Sequence, residues 1–223
     1  MAKQEFGLRL QQAGESLGLE IDSAKVDTLL AYLAQLQRWN KTYNLTALRD
    51  PEQMLIQHLI DSLSVLKPLD NVLYKNTVKN ITVVDVGSGA GLPGVVLAIM
   101  RPHWQIHCVD AVEKKMAFVR QMTGVLHLPN LHAHHERVES MPLFQANIVV
   151  SRAFASLADF ATLAGRHVAE NGHLVAMKGH EPEEEIEVLR HNTPWRVSGI
   201  EALSVPELNA QRCLVWMSRQ GSL

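Results

Sequence analysis

The sequence has little of what an exported or membrane-spanning protein needs. It contains two cysteines, Cys108 and Cys213, and both lie in apolar, strand-like runs. We therefore expect buried free thiols in a reducing cytoplasm. The N-terminus has no apolar core of signal-peptide length, and no run approaches the roughly 20 apolar residues of a membrane-spanning helix. These absences favour a cytoplasmic protein.

Charge of one sign is also lacking, because the net charge of the 223 residues is −2. This value gives no global indication of nucleic-acid binding. The stretch "HEPEEEIE" (180–187) holds five acidic residues and no Lys or Arg, so the rest of the chain carries +3. A basic face elsewhere is compatible with this balance. We interpret the acidic stretch itself as the solvated start of a helix.

The N-terminal part of the chain is predicted to be helical over residues 3–66. In "SAKVDTLLAYLAQLQRWN" the apolar residues recur at helical spacing. Farther on, Asp50, Pro51 and Gln53 match an N-cap, a first helical residue and a capping-box partner. The loop "WNKTYNLTALRD" separates these helices. We predict a helical N-terminal extension over 1–70 and a second domain over 71–223.

From residue 81 onward, short apolar strands alternate with helices, without repeats or low-complexity linkers. The pattern predicts a doubly wound α/β domain with a mostly parallel sheet that helices cover on both faces. Two late strands without an intervening helix are predicted to pair as an antiparallel end. The predicted strands are 81–86, 105–110, 131–135, 147–151, 172–178, 195–201 and 212–218, and the predicted helices are 92–100, 113–125, 155–169 and 182–191.

A glycine-rich turn follows the first predicted strand in "ITVVDVGSGAGLPGVVLAIM" (81–100). Such a turn lets backbone N–H groups approach a ligand at the start of a helix. Gly89, Gly91 and Gly94 satisfy the dinucleotide pattern G-x-G-x-x-G, which is a weak signal when it stands alone. A tight turn without a ligand is the alternative.

Two acidic residues near this turn refine the choice of ligand. Asp85 precedes Gly87 by two positions, where a carboxylate repels a pyrophosphate and suits the cationic amino group of S-adenosylmethionine. Asp110 ends the second predicted strand and can accept both ribose hydroxyls of an adenosine. Ribose recognition is shared with nicotinamide cofactors, and Asp110 can also be the N-cap of the next helix. The pair favours a nucleoside-containing ligand.

Polar residues follow each of the first five predicted strands, and parallel strands place such residues at one edge of a sheet. Arg152 ends the buried run "NIVV", so we predict that it belongs to a site. Glu136, Arg137 and Glu139, taken individually, also fit a solvated loop.

"LHAHH" (131–135) could suggest a metal site, but neither Cys nor an acidic pattern completes a zinc set. We therefore predict no metal.

Six motifs together resemble one bacterial family. They are "WNKTYNLT" (39–46), "HLIDSL" (58–63), "DVGSGAGLPG" (85–94), "VDAVEKKMAFV" (109–119), "SRAFASL" (151–157) and "MKG" (177–179). The chain is similar to the 16S ribosomal RNA guanine-N7 methyltransferases, also called glucose-inhibited division protein B. The resemblance runs in order from about residue 26 to 180 and is weaker toward the end.

The resemblance implies a Rossmann-like class I methyltransferase sheet and S-adenosylmethionine as the cofactor. It implies transfer of a methyl group to N7 of a guanine in 16S rRNA, within the 30S subunit or an assembly intermediate. It also implies cofactor contacts at Gly87, Leu92, Val138, Glu139 and Arg152. Together with the residues argued above, the predicted cofactor-binding set is Asp85, Gly87, Gly89, Gly91, Leu92, Asp110, Val138, Glu139 and Arg152.

The chemistry of this reaction requires no acid or base, because guanine N7 carries no proton. We therefore predict catalysis by alignment and assign no catalytic acid or base. The candidate substrate-side residues are Asn40, Lys41, His58, Asp61 and Lys178. His58, Asp61 and Ser62 share one face of a predicted helix. A solvated helix face and a polar turn are the alternative for this set, and a snorkelling side chain is the alternative for Lys178.

Three other functions fit parts of the pattern. A small-molecule methyltransferase shares the glycine turn and Asp110, but not the Trp-Asn-Lys module. A nicotinamide-dependent oxidoreductase shares the nucleotide fold, although Asp85 and the lack of a Tyr-x-x-x-Lys pair near the turn disfavour it. A non-enzymatic RNA-binding module is the third. No membrane partner is expected, and the reaction does not require an oligomer.

Overall fold

The computed structural model describes residues 2–75, 80–152 and 154–220. The N-terminal part is helical, as predicted. Its elements are α1 (Ala2–Ser16), α2 (Ser23–Tyr43), α3 (Pro51–Met54), a π-helical segment (Leu55–Ile60), α4 (Asp61–Leu63) and α5 (Leu66–Lys75). The sequence pattern did not predict the π-helical segment. Such segments are rare and occur often at functional sites.

Asp50 caps α3, as the sequence predicted, since its side chain accepts a hydrogen bond from the backbone N–H of Gln53 at 3.0 Å. The second half of the predicted capping box is wrong. The Gln53 amide oxygen accepts instead from the Gln57 side chain at 3.3 Å. Asp22 caps α2 in the same manner, by accepting from the Lys25 N–H at 2.8 Å.

A seven-stranded sheet forms the rest of the fold, in the order β3-β2-β1-β4-β5-β7-β6. The strands are β1 (Thr82–Val86), β2 (Gln105–Asp110), β3 (Leu131–His135), β4 (Ala146–Ser151), β5 (Val168–Lys178), β6 (Trp195–Ala202) and β7 (Cys213–Arg219). The first five strands are parallel, and β7 is antiparallel to both β5 and β6. The predicted fold class, including the antiparallel end, is confirmed.

Four helices pack against the sheet, namely α6 (Gly94–Met100), α7 (Glu113–Val125), α8 (Leu157–Ala164) and α9 (Glu183–Asn192). The predicted helix 155–169 is too long at both ends. Ser156 is the N-cap, and a 3-10 turn at Gly165–His167 leads directly into β5. The strand β5 starts at Val168, four positions before the predicted start at 172. Val168 itself is buried, but the next five residues are partly or fully exposed and lack the apolar run that identifies a buried strand.

Two buried clusters cover the two faces of the sheet. Side chains of α1 and α2, including Leu10 and Leu36, share one cluster with Val95 of α6 and Phe118 of α7. The second cluster lies under α8 and α9. The N-terminal helices therefore contribute to the main core, and the proposed division into 1–70 and 71–223 remains a prediction. Among the described helices, none combines the length and apolarity needed to span a membrane.

The strand order places a crevice at the carboxyl ends of β1 and β4. In this order β1 leads through α6 to β2 on one side, whereas β4 lies on its other side. Open parallel sheets bind ligands where the strand order reverses in this way. Every predicted cofactor-binding residue except Val138 and Glu139 lies at the end of β1, β2 or β4 or in the turn after β1.

Candidate functional site

The turn after β1 leaves open space in front of two glycines. Gly87 and Gly89 have φ values of 66° and 59°, a left-handed conformation that favours glycine. A Cβ atom built at either position would meet no atom within 4 Å. The N–H groups of Gly87 and Ser88 donate to the carbonyl of Val109, at 2.8 and 3.2 Å, and fasten the turn to β2. The turn is thus fixed on its inner side and accessible on its outer side.

The other two glycines of the motif are required by packing. A Cβ at Gly91 would lie 2.5 Å from Val95 Cγ2, and one at Gly94 would lie 2.4 Å from Cys108 Sγ. Any side chain at these positions would displace the helix α6 or the strand β2. Gly91 is also absent from the lining of the three cavities described below. Its predicted direct contact with a cofactor therefore gains no support from its position.

Asp85 lies beneath the turn and is fully buried. Its Oδ2 accepts a hydrogen bond from the Gly94 N–H at 2.7 Å, while Oδ1 has no hydrogen-bond partner among the described residues. Burial raises the pKa of this carboxyl to about 7, against the opposing effects of the Gly94 N–H and Arg152. Asp85 fixes the start of α6, and its predicted effect on a cationic ligand remains a prediction.

Asp110 connects the glycine turn to the next crossover. Its Oδ2 accepts from the Gly89 N–H and its Oδ1 from the Val112 N–H, each at 2.9 Å. Lys115 Nζ lies 3.7 Å from Oδ2. Val112, and not Asp110, is the N-cap of α7, so the alternative interpretation as an N-cap is wrong. Asp110 is 8% exposed and lines a cavity, where a ligand can reach its remaining lone pairs.

Three cavities follow one another along the carboxyl edge of the sheet. The inner cavity, of about 240 Å³, is lined by Gly87, Asp110, Val138 and Glu139 among others. The middle cavity, of about 120 Å³, also contacts Gly87 and adds Gly89, Leu92, His58 and Arg152. The outer cavity, of about 400 Å³, shares His58 and Arg152 with the middle one and adds Asp61, Lys178 and Arg212. Since neighbouring cavities share wall residues, they lie side by side along this edge.

A buried carboxylate between two arginines forms part of the outer cavity. The side chain of Asp61 is 3% exposed. Its Oδ1 accepts from Arg212 Nε at 3.0 Å, and its Oδ2 lies 3.5 Å from Arg152 Nη1. The same Arg152 nitrogen donates to the Gln57 carbonyl at 3.0 Å. The two arginines are the charged partners of this buried carboxylate. Arg152 also lines the outer cavity, and its predicted role at a site remains a prediction.

Sequence reasoning missed Arg212. It lies directly before β7, which runs antiparallel to β5 with Cys213 opposite Lys178. The start of an antiparallel strand meets the carboxyl end of its parallel neighbour, so this position could have been deduced from the predicted pairing. The loop before it is fastened to the N-terminal helices, because Arg9 Nε donates to Glu207 at 3.0 Å.

His58 lies where the middle and outer cavities meet, and it is 6% exposed. Burial, together with the charge of Arg152, lowers its pKa to about 4, so the imidazole is neutral at pH 7. Its Nε2 is 2.9 Å from the Thr46 hydroxyl. His58 and Asp61 share a cavity wall, as their spacing predicted. Ser62 is fully buried and lies outside the lining of the outer cavity.

Of the two predicted substrate-side residues near the end of α2, Asn40 is buried and Lys41 is exposed. The Asn40 amide donates to the Leu48 carbonyl and accepts from the Thr46 N–H, both at 2.9 Å. Asn40 is 3% exposed, so it holds the loop in place, and a direct substrate contact does not follow from its position. Lys41 is exposed in the last turn of α2. The Arg49 Nη2 group donates a hydrogen bond to Asn44 Oδ1 at 2.6 Å.

The acidic stretch 180–187 contributes to the site through Glu185. Lys178 Nζ donates to both Glu185 oxygens, at 2.8 and 2.9 Å, and the Leu157 N–H donates to the same carboxylate at 2.7 Å. The interpretation of the stretch as merely a solvated helix start is therefore wrong for this residue. The carboxylate ties β5 to the start of α8 and holds Lys178 at the outer cavity.

A second residue that the sequence did not indicate supports the glycine turn from the N-terminal helices. The hydroxyl of Tyr32 in α2 donates to the Ala90 carbonyl at 2.9 Å, and the ring is fully buried. In the sequence this tyrosine occupies an ordinary apolar position of a helix, so no pattern could distinguish it from a core residue. It couples the N-terminal extension to the turn.

His132 and His134 of "LHAHH" pack with His107 as a ring cluster on the sheet. His107 of β2 lies between His132 and His134 of β3, with ring centroids 4.7 and 5.2 Å apart. His107 Nδ1 is 2.9 Å from His134 Nε2. Burial and the neighbouring histidines lower the pKa of His107 to about 4. Within residues 2–75, 80–152 and 154–220, no group of three or more His, Cys, Asp or Glu side chains could hold a metal ion.

Comparison with solved structures agrees with the sheet topology. A SAM-dependent methyltransferase from Aquifex aeolicus matches with a TM-score of 0.51 and 17% identity, over 78% of this chain and 96% of that chain. Magnesium protoporphyrin IX methyltransferase from Synechocystis PCC 6803, solved with bound SAM, matches with a TM-score of 0.56 and 13% identity, over 90% and 99%. At these identities the comparison supports the fold alone.

Sequence comparison is more specific. "Ribosomal RNA small subunit methyltransferase G" of Bordetella petrii is 66% identical over 96% of this chain and 84% of its own length. The protein of the same name from Leptothrix cholodnii is 49% identical over 93% of both chains. The family model described as rRNA small subunit methyltransferase G matches residues 25–215. The resemblance found in the sequence motifs is confirmed, and the chain belongs to the rRNA small subunit methyltransferase G family.

Proposed function

We propose that this protein transfers the methyl group of S-adenosylmethionine to N7 of a guanine in 16S rRNA. The observation that carries the proposal is the row of three adjacent cavities at the carboxyl edge of the sheet. Gly87 joins the inner and middle cavities, and His58 and Arg152 join the middle and outer cavities. A donor in the inner and middle cavities and an acceptor in the outer cavity would meet beside His58 and Arg152, which line both the middle and the outer cavity.

The inner and middle cavities fit the methyl donor. The open space in front of Gly87 and Gly89 admits a ligand close to the backbone. In the inner cavity, Asp110 would accept ribose hydroxyls, while Val138 and Glu139 would contact the adenine region. Leu92, Gly87 and Arg152 would surround the methionine part. When bound, S-adenosylmethionine supplies an electrophilic methyl group on a positively charged sulfur.

The residues at the junction suit transfer by alignment. Guanine N7 is an unprotonated acceptor, so no base has to remove a proton from it. His58 is neutral at pH 7 because burial and Arg152 lower its pKa to about 4, and it therefore adds no charge beside a cationic donor. Holding two reactants in line can lower the activation barrier by roughly 7–11 kcal/mol. The buried His58 and the partly buried Arg152 are both held by hydrogen bonds and are well suited to such positioning.

The outer cavity suits an RNA nucleotide. Arg152, Lys178 and Arg212 surround it, with one carboxylate, Asp61, in its wall. Positively charged side chains bind phosphate groups, and an enzyme that modifies a base needs that base unstacked in a pocket. Because the net charge of the chain is only −2, we propose that recognition also depends on the folded RNA, in the 30S subunit or an assembly intermediate, in the cytoplasm.

Lys41 provides a test of the RNA side of the site. It is exposed at the end of α2, beside the loop whose residues line the middle and outer cavities. We expect Lys41→Ala to weaken binding of 16S rRNA about three- to tenfold and to leave the affinity for S-adenosylmethionine unchanged. Filter binding for RNA and calorimetry for the cofactor measure the two affinities.

Lys25→Ala is the matched control, because Lys25 lies at the opposite end of the same helix and pairs locally with Asp22. This variant should bind RNA as the unmodified protein does. An equal loss of RNA affinity in both variants would contradict a specific role for Lys41, and an equal loss for RNA and cofactor in Lys41→Ala would indicate a structural defect.

Methyl transfer to the natural substrate tests the proposed function as a whole. The protein and tritiated S-adenosylmethionine are incubated separately with 30S particles, with free 16S rRNA and with small-molecule acceptors. The particles and the rRNA come from cells that lack the modification. We expect label in the RNA, recovered as N7-methylguanosine after nuclease digestion. Label confined to small molecules would indicate a small-molecule methyltransferase. Donor binding without any product would indicate an RNA-binding module, and binding of NADH in place of the donor an oxidoreductase.

A further inference from the structure

We infer that Asp61 is the residue that selects guanine, by accepting hydrogen bonds from N1–H and the N2 amino group of the target base. This inference rests on the proposed function and assigns a chemical role to the outer cavity. A carboxylate offers only acceptors, and guanine presents two adjacent donors on its Watson–Crick edge. Adenine presents an unprotonated ring nitrogen at the corresponding position, which a carboxylate repels.

The position of Asp61 fits this role. It lines the outer cavity and is absent from the lining of the middle one, whereas His58 and Arg152 line both. A guanine whose N7 faces the junction beside His58 and Arg152 therefore directs its other edge farther into the outer cavity, toward Asp61. The cavity volume of about 400 Å³ is within the roughly 300–1,000 Å³ of small-ligand pockets.

The hydrogen bonds of Asp61 leave room for a base. Oδ1 accepts one bond, from Arg212 Nε at 3.0 Å, and Oδ2 has only the long contact of 3.5 Å with Arg152 Nη1. An ionised carboxylate has about four acceptor positions, so both oxygens can take a further donor. The side chain is 3% exposed, and a bond to it is therefore screened little by water.

The arginines have other restraints, which argues against a purely structural carboxylate. Arg152 Nη1 donates to the Gln57 carbonyl at 3.0 Å, and Arg212 Nη1 donates to the Gln211 carbonyl at 2.8 Å. A charged group in the wall of a cavity costs desolvation energy that an apolar residue would avoid. Recognition of a donor-rich base edge explains why the wall holds an acid at this point.

The test is a double-mutant cycle in which one change is made in the protein and the other in the target base. The substrates are 30S particles whose 16S rRNA carries either guanine or inosine at the methylated position. Inosine lacks the N2 amino group and keeps N7, O6 and N1–H. With the unmodified protein, we expect inosine to lower kcat/KM about ten- to a hundredfold, the value of one hydrogen bond to a charged group.

In Asp61→Asn, the guanine substrate should react more slowly, and exchange to inosine should then cost less than about threefold. Asp70→Asn is the matched control, because Asp70 is also a largely buried acid paired with an arginine, Arg101, and lies outside the three cavities. It should keep the full inosine penalty. Thermal unfolding and the affinity for S-adenosylmethionine, measured for both variants, show that the fold and the donor site are retained.

The outcomes separate the inference from the function beneath it. No N7-methylguanosine from the unmodified protein and the guanine substrate would refute the proposed function. Methylation of guanine and inosine at equal rates would refute only the role of Asp61, even if Asp61→Asn failed to fold. An inosine penalty of the same size in the unmodified protein and in Asp61→Asn would show that Asp61 merely positions its arginines.

Discussion

Alanine at Gly87 is expected to lower the affinity for S-adenosylmethionine about tenfold or more. Gly87 has a φ of 66° and a Cβ built on it enters open space in front of the turn, where two cavities join. The added methyl group occupies the volume through which a ligand reaches the backbone, and even a shift of about 1.4 kcal/mol in binding is a factor of ten. Isothermal calorimetry at constant pH measures the affinity.

Gly18 gives a closely matched control. It also has a φ of 66°, and a Cβ built there also meets no atom within 4 Å, but it lies in the turn between α1 and α2. Both alanine variants should lose about 1–2 kcal/mol of stability, because a left-handed backbone disfavours a side chain. Only Gly87→Ala should lose affinity. Equal affinities in the two variants would show that the donor does not lie across this turn.

Asp85→Asn is expected to change how stability depends on pH. The carboxyl has a folded-state pKa of about 7, against 3.8 as its ordinary value. Between pH 4 and 7 the folded state therefore binds more protons than the unfolded state at this residue. The stability that Asp85 contributes is present below pH 4 and is lost as the pH rises through 7. Asparagine keeps an acceptor for the Gly94 N–H and does not titrate.

The variant should therefore gain stability over the unmodified protein as the pH rises from 4 to 7, by about 2–4 kcal/mol in total. Urea unfolding at several pH values measures the difference, in which contributions from the histidines largely cancel. The unmodified protein should also bind the cationic donor more tightly as the pH rises through 7, whereas the variant should not. Parallel stability curves would show that Asp85 is not a buried, titrating carboxyl.

The central part of the site could be predicted from local sequence patterns. The strand before Gly87, the glycines after it, Asp110 at the end of the next strand and Arg152 at the end of a buried run were all predicted from adjacent residues. The structure places Asp110 and Arg152 on the crevice with Gly87. Strand ends of a parallel sheet meet at one edge, so a correct prediction of strands largely determines which residues meet.

Contacts between distant segments were not predictable in this way. Asp61 and Arg212 are 151 positions apart, and Glu185 reaches Lys178 and Leu157 only because α9 packs beside α8. The π-helical segment before Asp61 has no sequence signature that separates it from an α-helix. The sequence suggested that Asn40 is a polar surface residue. Its burial follows from two hydrogen bonds, to Leu48 and Thr46, which form only when the loop folds back onto α2.

A crystal structure with S-adenosylmethionine bound tests most directly whether the donor and the guanine pocket meet. We expect the adenosine to lie in the inner cavity at Asp110, the methionine part to cross Gly87, and the methyl group to face the outer cavity between His58 and Arg152. A donor bound elsewhere, or one whose methyl group faces away from the outer cavity, would show that the donor and the guanine pocket do not meet.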